Sequence, residues 1–222
     1  MHEIHLRDLD LHDHITKVLE SAFPVFIMEV RGVYGLFAPH STRGVEALNH
    51  AKARKPGKFY GSLAGNLDTL LSITKPDSIV HHPEALSILD GCFIRFETNA
   101  PALQETVCDG THQVLIEHPS LRAIAQIIEA YATPLSKSIV NNPFPICTSA
   151  NLSGDSKGPI TTLSEALCFA KERNISLFVH TGLLGLEKGS YAIIEELPNG
   201  QLRLARNGPQ GEQVLQKLQQ LR

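Results

Sequence analysis

The chain has 222 residues, enough for one domain with a sizeable core, and its 42% hydrophobic and 19% charged residues are ordinary for a globular protein. A net charge of −3 excludes nucleic-acid binding by bulk charge, so a phosphate ligand would need a local concentration of Lys and Arg. The four cysteines, Cys92, Cys108, Cys147 and Cys168, form no CxxC or Cys/His cluster, which argues against structural zinc or a disulfide framework and for a reducing, cytoplasmic setting.

The polar, mixed-charge first twenty residues differ from a secretory signal, and no apolar run nears the ~20 residues of a membrane span. Leu9, Leu11, Ile15, Val18 and Leu19 have helical spacing and predict a first helix over 8–21. A strand over 24–30 then breaks into the glycine-containing stretch RGVYGLFA at 31–38, a usual position for a ligand edge in α/β folds. Ser41 or Thr42 can cap a helix over 41–54, which Pro56 and Gly57 stop. A strand at 59–65, helices at 66–74 and 84–89, and strands at 91–98 and 112–118 follow, then an amphipathic helix over 121–132. The strand at 144–151 ends in a polar turn, and a helix over 161–173 leads to three late strands, the last two joined through Pro198-Asn199-Gly200 as a hairpin. Residues 211–222 read as a polar amphipathic helix. This interleaving predicts a single α/β domain with a mixed sheet, its core over about 12–210 and a C-terminal helix beyond.

No P-loop, GxGxxG, GxSxG or HExxH pattern is present, which removes the ordinary ATPase, dehydrogenase, hydrolase and zinc-protease readings. Two constellations remain. Lys52, Arg54, Lys55 and Lys58 crowd around Pro56-Gly57, with Arg43 one helix earlier; such a set can converge on phosphate oxygens, and equally suits a solvated helix end. The run Thr148-Ser149-Ala150-Asn151-Leu152-Ser153-Gly154 follows an apolar strand, where small hydroxyl and amide groups can bond a phosphate or simply form a turn. His12, His14, His81 and His82 lack carboxylate or Cys partners at ligand spacing and read as surface residues. Phe93, Phe96 and Phe178 read as core, and no residue stands out as a general acid or base. Tyr34, beside Gly35, can stack on a base or pack in the core.

Taken in order, these segments resemble the YrdC/Sua5 family, whose mark is a KxR pair followed much later by SxN. Here they are Lys52-Ala53-Arg54 and Ser149-Ala150-Asn151 within TSANLSG. VYGL at 33–36, KARKPGK at 52–58, His118-Pro119, Gly189-Ser190 and LARNG at 204–208 match further family segments, so the resemblance covers roughly 12–210. It implies a twisted mixed sheet flanked by helices around a positively charged concave surface. It also implies synthesis of threonylcarbamoyl-adenylate from L-threonine, bicarbonate and ATP, with magnesium on the phosphates, in tRNA t6A modification. Double-stranded RNA or tRNA and other proteins of that pathway are the partners it suggests, with no membrane role. Carried over residue by residue, Lys52, Arg54 and Lys58 would hold the triphosphate. Ser149, Asn151 and Arg206 would hold the nucleotide phosphate and sugar, while Ser190 and Tyr34 would lie against substrate. A nucleotide- or double-stranded-RNA-binding paralogue without threonine chemistry is the alternative.

The chain departs from the family pattern in four places. Glu29-Val30-Arg31-Gly32 replaces a P-T-[DE]-T run, Asp90-Gly91-Cys92-Phe93 a P-G-P-x-T run, and residues 114–117 (VLIE) an Arg-x-Pro. Tyr191 replaces a Thr after Ser190. These losses fall on amino-acid contacts rather than phosphate contacts. Arg31 could supply a replacement cation.

Overall fold

The computed structural model describes residues 1–55, 58–98, 103–108, 110–135, 144–183, 185 and 189–222. In chain order its first half has β1 (His2–His5), α1 (Leu11–Glu20), β2 (Phe26–Val30), β3 (Val33–Ala38), α2 (Thr42–Lys52), β4 (Gly61–Leu63), α3 (Leu67–Ile73), α4 (Ala85–Ile88) and β5 (Cys92–Glu97). The second half has β6 (Val107–Cys108), β7 (Thr111–Ile116), α5 (Pro119–Leu135), β8 (Ile146–Ser149), α6 (Leu163–Glu172), β9 (Leu177–His180), β10 (Ile193–Glu196), β11 (Leu202–Arg206) and α7 (Gly211–Gln219). No helix among the described residues is long and apolar enough to cross a membrane.

The strands among the described residues join one mixed sheet in the order β1-β9-β2-β3-β8-β4-β7-β5-β10-β11, with the short β6 paired to β7. β2 and β3 form an antiparallel hairpin turned by Arg31 and Gly32, the latter at φ 78°, a conformation glycine adopts without a Cβ penalty. β8 enters between β3 and β4, antiparallel to both, and β10 lies parallel to β5. The expected Pro-Asn-Gly hairpin joins β10 to β11, with Gly200 at φ 84°.

The helices cover the sheet unevenly. On one face α1 and α5 pack together over Phe26, Met28, Leu177 and Val179 through Ile15, Leu19, Ile124 and Ile128. On the other, α2 and α6 cover Ile27, Leu36, Ile146 and Phe178, while α3, α4 and α7 cover Ile94, Val114 and Ile194. The C-terminal helix is thus part of the domain, with Val214 and Leu218 buried. The part of the first face that α1 and α5 leave uncovered is an open cleft.

Three differences from the sequence expectation have local causes. β1 was not expected, because only Ile4 of its four residues is apolar and buried; it pairs in parallel with β9 at the sheet edge. α5 begins at Pro119 rather than 121, since a proline at the first helical position has φ preset and needs no N–H partner. α2 stops at Lys52, and Ala53 turns the chain in a left-handed conformation at φ 45°. The expected stop at Pro56-Gly57 falls outside the described residues.

Candidate functional site

α2 carries its basic end to the tip of β8 from the opposite face of the sheet. Ser41 starts the helix by accepting from the Gly44 amide at 3.1 Å, and Gly44 itself is required there: a Cβ would lie 2.0 Å from the Pro39 carbonyl oxygen. At the other end the Lys52 ammonium donates to the Ser149 carbonyl at 2.6 Å and to Asn151 Oδ1 at 3.0 Å. Ser149 Oγ donates to the same Asn151 oxygen at 2.6 Å. The Ser153 amide donates to the Lys52 carbonyl at 2.9 Å, and the Lys55 amide to Ser153 Oγ at 3.2 Å. The helix end and the TSANLSG loop are therefore one hydrogen-bonded unit.

Lys52 is only 3% exposed. Burial, and then the neighbouring Arg54 charge, lower its pKa from the usual 10.5 to about 7. No carboxylate lies within salt-bridge distance of it among the described residues, so its charge is met by a carbonyl and an amide alone. Arg54 lies over the Tyr60 ring, 4.0 Å from its centroid, and donates to the Phe59 carbonyl at 2.6 Å. Its Nε is buried with no hydrogen-bond partner among the described residues, and desolvation lowers its pKa.

The cleft runs from this unit across the sheet and has a volume of ≈ 110 Å³. Ser149 and Phe59 line its near end, Ser190, Tyr191 and Arg206 its far end. Its floor is apolar. A Cβ on Gly35 would lie 2.7 Å from the Phe37 ring and one on Gly61 2.5 Å from the Phe93 ring, so these rings lie directly over bare backbone. Arg206 donates through Nε to the Tyr191 carbonyl at 2.9 Å; desolvation, then the Arg95 charge, lower its pKa. Among the described residues the lining contains no carboxylate, so these residues suit magnesium as an ion carried on nucleotide phosphates. No group of three His, Cys, Asp or Glu suited to a metal occurs among the described residues.

The sequence-derived residues thus divide. Lys52, Ser149 and Asn151 meet directly, Arg54 stands beside them, and Ser190 and Arg206 share the cleft with Ser149. Lys58 is exposed and makes no hydrogen bond or ion pair among the described residues. Tyr34 is a correction: it is 1% exposed, packs at 5.7 Å from the Phe178 ring, and faces away from the cleft that Val33 and Gly35 line. Strand alternation puts it on the opposite face, so it cannot stack on a ligand in the cleft. Phe93 lines the cleft as well as the core.

Arg31 is a second correction. It is no spare cation: Nε donates to Glu117 at 3.0 Å and Nη2 to Asp90 at 2.6 Å. Burial opposes its charge, but the hydrogen bonds and charges of Asp90 and Glu117 outweigh that and raise its pKa. Tyr191 donates to the other oxygen of Glu117, whose side chain is fully buried. Arg31, Asp90, Glu117 and Tyr191 come from the four segments that depart from the family pattern, and the fold joins them in one network beside the cleft. Sequence reading missed this network, and it also missed Arg95 and Gln113, which strand register pairs on the cleft side.

No protein-family model matches the chain, and no curated protein matches it in sequence. Solved structures do. Sua5 of P. abyssi complexed with L-threonine superposes with a TM-score of 0.66 at 15% identity, over 97% of this chain and 61% of that one. E. coli YciO superposes with a TM-score of 0.64 at 14% identity, over 93% and 94%. Full-length HypF in a phosphate- and nucleotide-bound form gives 0.62 at 15% identity, over 88% of this chain and 28% of HypF. The chain therefore spans about three-fifths of the Sua5 length and nearly all of YciO. With its eleven-stranded mixed sheet and flanking helices, this chain has the YrdC/Sua5-like fold that the order of its motifs pointed to.

Proposed function

We propose that this chain binds ATP in the open cleft and forms an adenylate of a carbamoylated amine, L-threonine or a relative of it, as in t6A modification of tRNA. The observation that carries the reading is the Lys52–Ser149–Asn151 unit at the end of a cleft whose far wall holds Ser190 and Arg206. In that reaction the carbamate oxygen attacks the α-phosphorus, a new P–O bond forms, and the bond to pyrophosphate breaks. Lys52 and Arg54 have desolvated charges without carboxylate partners among the described residues, and by turning from their present carbonyl and amide acceptors they would offset negative charge on the departing oxygens. The Ser149 hydroxyl can turn its donor from Asn151 Oδ1 to a phosphate oxygen, which leaves that amide oxygen to accept from a sugar hydroxyl. Magnesium, brought in on the phosphates, supplies further charge neutralisation. The L-threonine complex of Sua5 and the nucleotide-bound form of HypF, on the same fold, support this reading.

One observation favours a second reading, a nucleotide- or RNA-binding protein without threonine chemistry. The Arg31–Asp90–Glu117–Tyr191 network replaces residues that the resemblance assigns to the amino acid. Pyrophosphate release from ATP and bicarbonate, with and without L-threonine, separates the two. Threonine-dependent release that disappears in Lys52→Met supports the synthase. ATP or duplex-RNA binding by folded protein with no release, whatever amine is supplied, leaves the binding protein alone.

A further inference from the structure

On the cleft side of the sheet, Arg95 of β5 lies between Gln113 of β7 and Glu195 of β10 in register. Its Nη2 donates to Gln113 Oε1 at 3.0 Å, and Gln113 lines the cleft. Its contact with Glu195 is longer, 3.6 Å, because Glu195 is held tightly by Arg203 from the adjacent strand. Arg95 Nε is buried and has no partner among the described residues. Arg206, on the same wall, has a backbone carbonyl as its hydrogen-bond partner and no carboxylate within salt-bridge distance among the described residues. Arg95 and Arg203 thus share one carboxylate, Glu195, and Arg206 has none among the described residues. Arg203 and Arg206 are exposed, so the incompletely matched buried group is Arg95, whose unpaired Nε makes an anion near its head group favourable.

We propose that Arg95 and Arg206, with Gln113 orienting Arg95, form an oxyanion subsite at the far end of the cleft, which takes a second anionic group of the ligand beyond the phosphate at the Lys52 loop. This rests on the cleft being the nucleotide site proposed above and adds to it a requirement on the ligand. The ligand carries anionic oxygens at two ends, with its less polar part over the Phe37 and Phe93 rings. The second group is either the outer phosphates of the nucleotide or the carboxylate of the acceptor, since both present oxygens that a guanidinium fork can bond.

The test compares wild type with Arg95→Met and Gln113→Ala, each first checked by circular dichroism and a cooperative melt. Calorimetric titration with ATP and with AMP, and with L-threonine in the presence of a non-hydrolysable ATP analogue, separates the two sources. If outer phosphates occupy the subsite, Arg95→Met weakens ATP about tenfold and leaves AMP unchanged; if a carboxylate does, the amino-acid titration alone weakens. Gln113→Ala, which keeps the charge but frees the head group, gives a smaller loss in the same arm. Unchanged affinity in every arm overturns the subsite while leaving the nucleotide reading intact. If wild type binds no ATP, protection against thermal unfolding by inorganic phosphate remains the readout. Protection that Arg95→Met abolishes keeps the subsite and removes the nucleotide reading; protection that survives removes both.

Discussion

Lys52 is the residue on which the site turns, and its titration gives two opposite pH dependences. Its pKa is about 7 in the folded chain against 10.5 ordinarily. Between those values the unfolded chain holds more protons, so the stability contributed at this position rises with pH from about 7 to 10.5 and is flat below 7. The slope is at most about 1.4 kcal/mol per pH unit. Urea midpoints at pH 7, 8 and 9 should diverge between wild type and Lys52→Met, the variant lacking the rise. Phosphate affinity should move the other way, because the protonated amine is the binding form. The Kd should climb by up to about tenfold per pH unit above 7 in wild type, and far less in Lys52→Met. Lys52, Ser149 and Asn151 were paired through the resemblance, since by residue type alone their two runs suited a helix end and a turn, and the fold brings the three into contact. Arg95 was not legible, since one charge within FIRF looks incidental until strand register brings Gln113 and Glu195 beside it. Tyr34 was misread for a related reason: β3 is buried on both faces, so its alternation carries no polar mark of which face is open.

At the scale of elements, α2 has the most exact task, because its last turn positions Lys52 and Arg54. Ser41→Ala removes the side-chain acceptor for the Gly44 amide and should cost about 1 kcal/mol in denaturant unfolding. Ala53 holds a left-handed conformation that glycine adopts more readily. Ala53→Gly should therefore stabilise the fold by up to about 1 kcal/mol while leaving phosphate affinity within twofold, both read on one purified variant. A loss of stability would mean that the alanine methyl makes a compensating contact. Most elements were legible from apolar periodicity and breakers, down to the hairpin at Pro198–Gly200. The exceptions were β1 and β6, which depend on a partner strand; β3, which was read from its glycines as a turn; the early end of α2 at a left-handed Ala53; and the start of α5 at a proline.

At the scale of the molecule, the class of fold followed from interleaved helices and strands, but the strand order did not, because nothing local records which strand lies beside which. That order matters for function. β8 separates β3 from β4, and its tip supplies Ser149; β9 separates β1 from β2. The network of Arg31, Asp90, Glu117 and Tyr191 likewise joins four distant segments.

The insertion of β8 also sets a timetable. Lys52 and Asn151 are 99 residues apart, and β3 and β4 have no common neighbour until β8 arrives between them. A nascent chain leaving the ribosome would therefore carry its basic helix end for almost a hundred residues before the loop that receives it exists. Such long-range closure is slow relative to helix formation. In stopped-flow refolding, the capacity to bind phosphate should appear only with the last phase that restores sheet structure, and binding that precedes it would show that the cleft forms without β8.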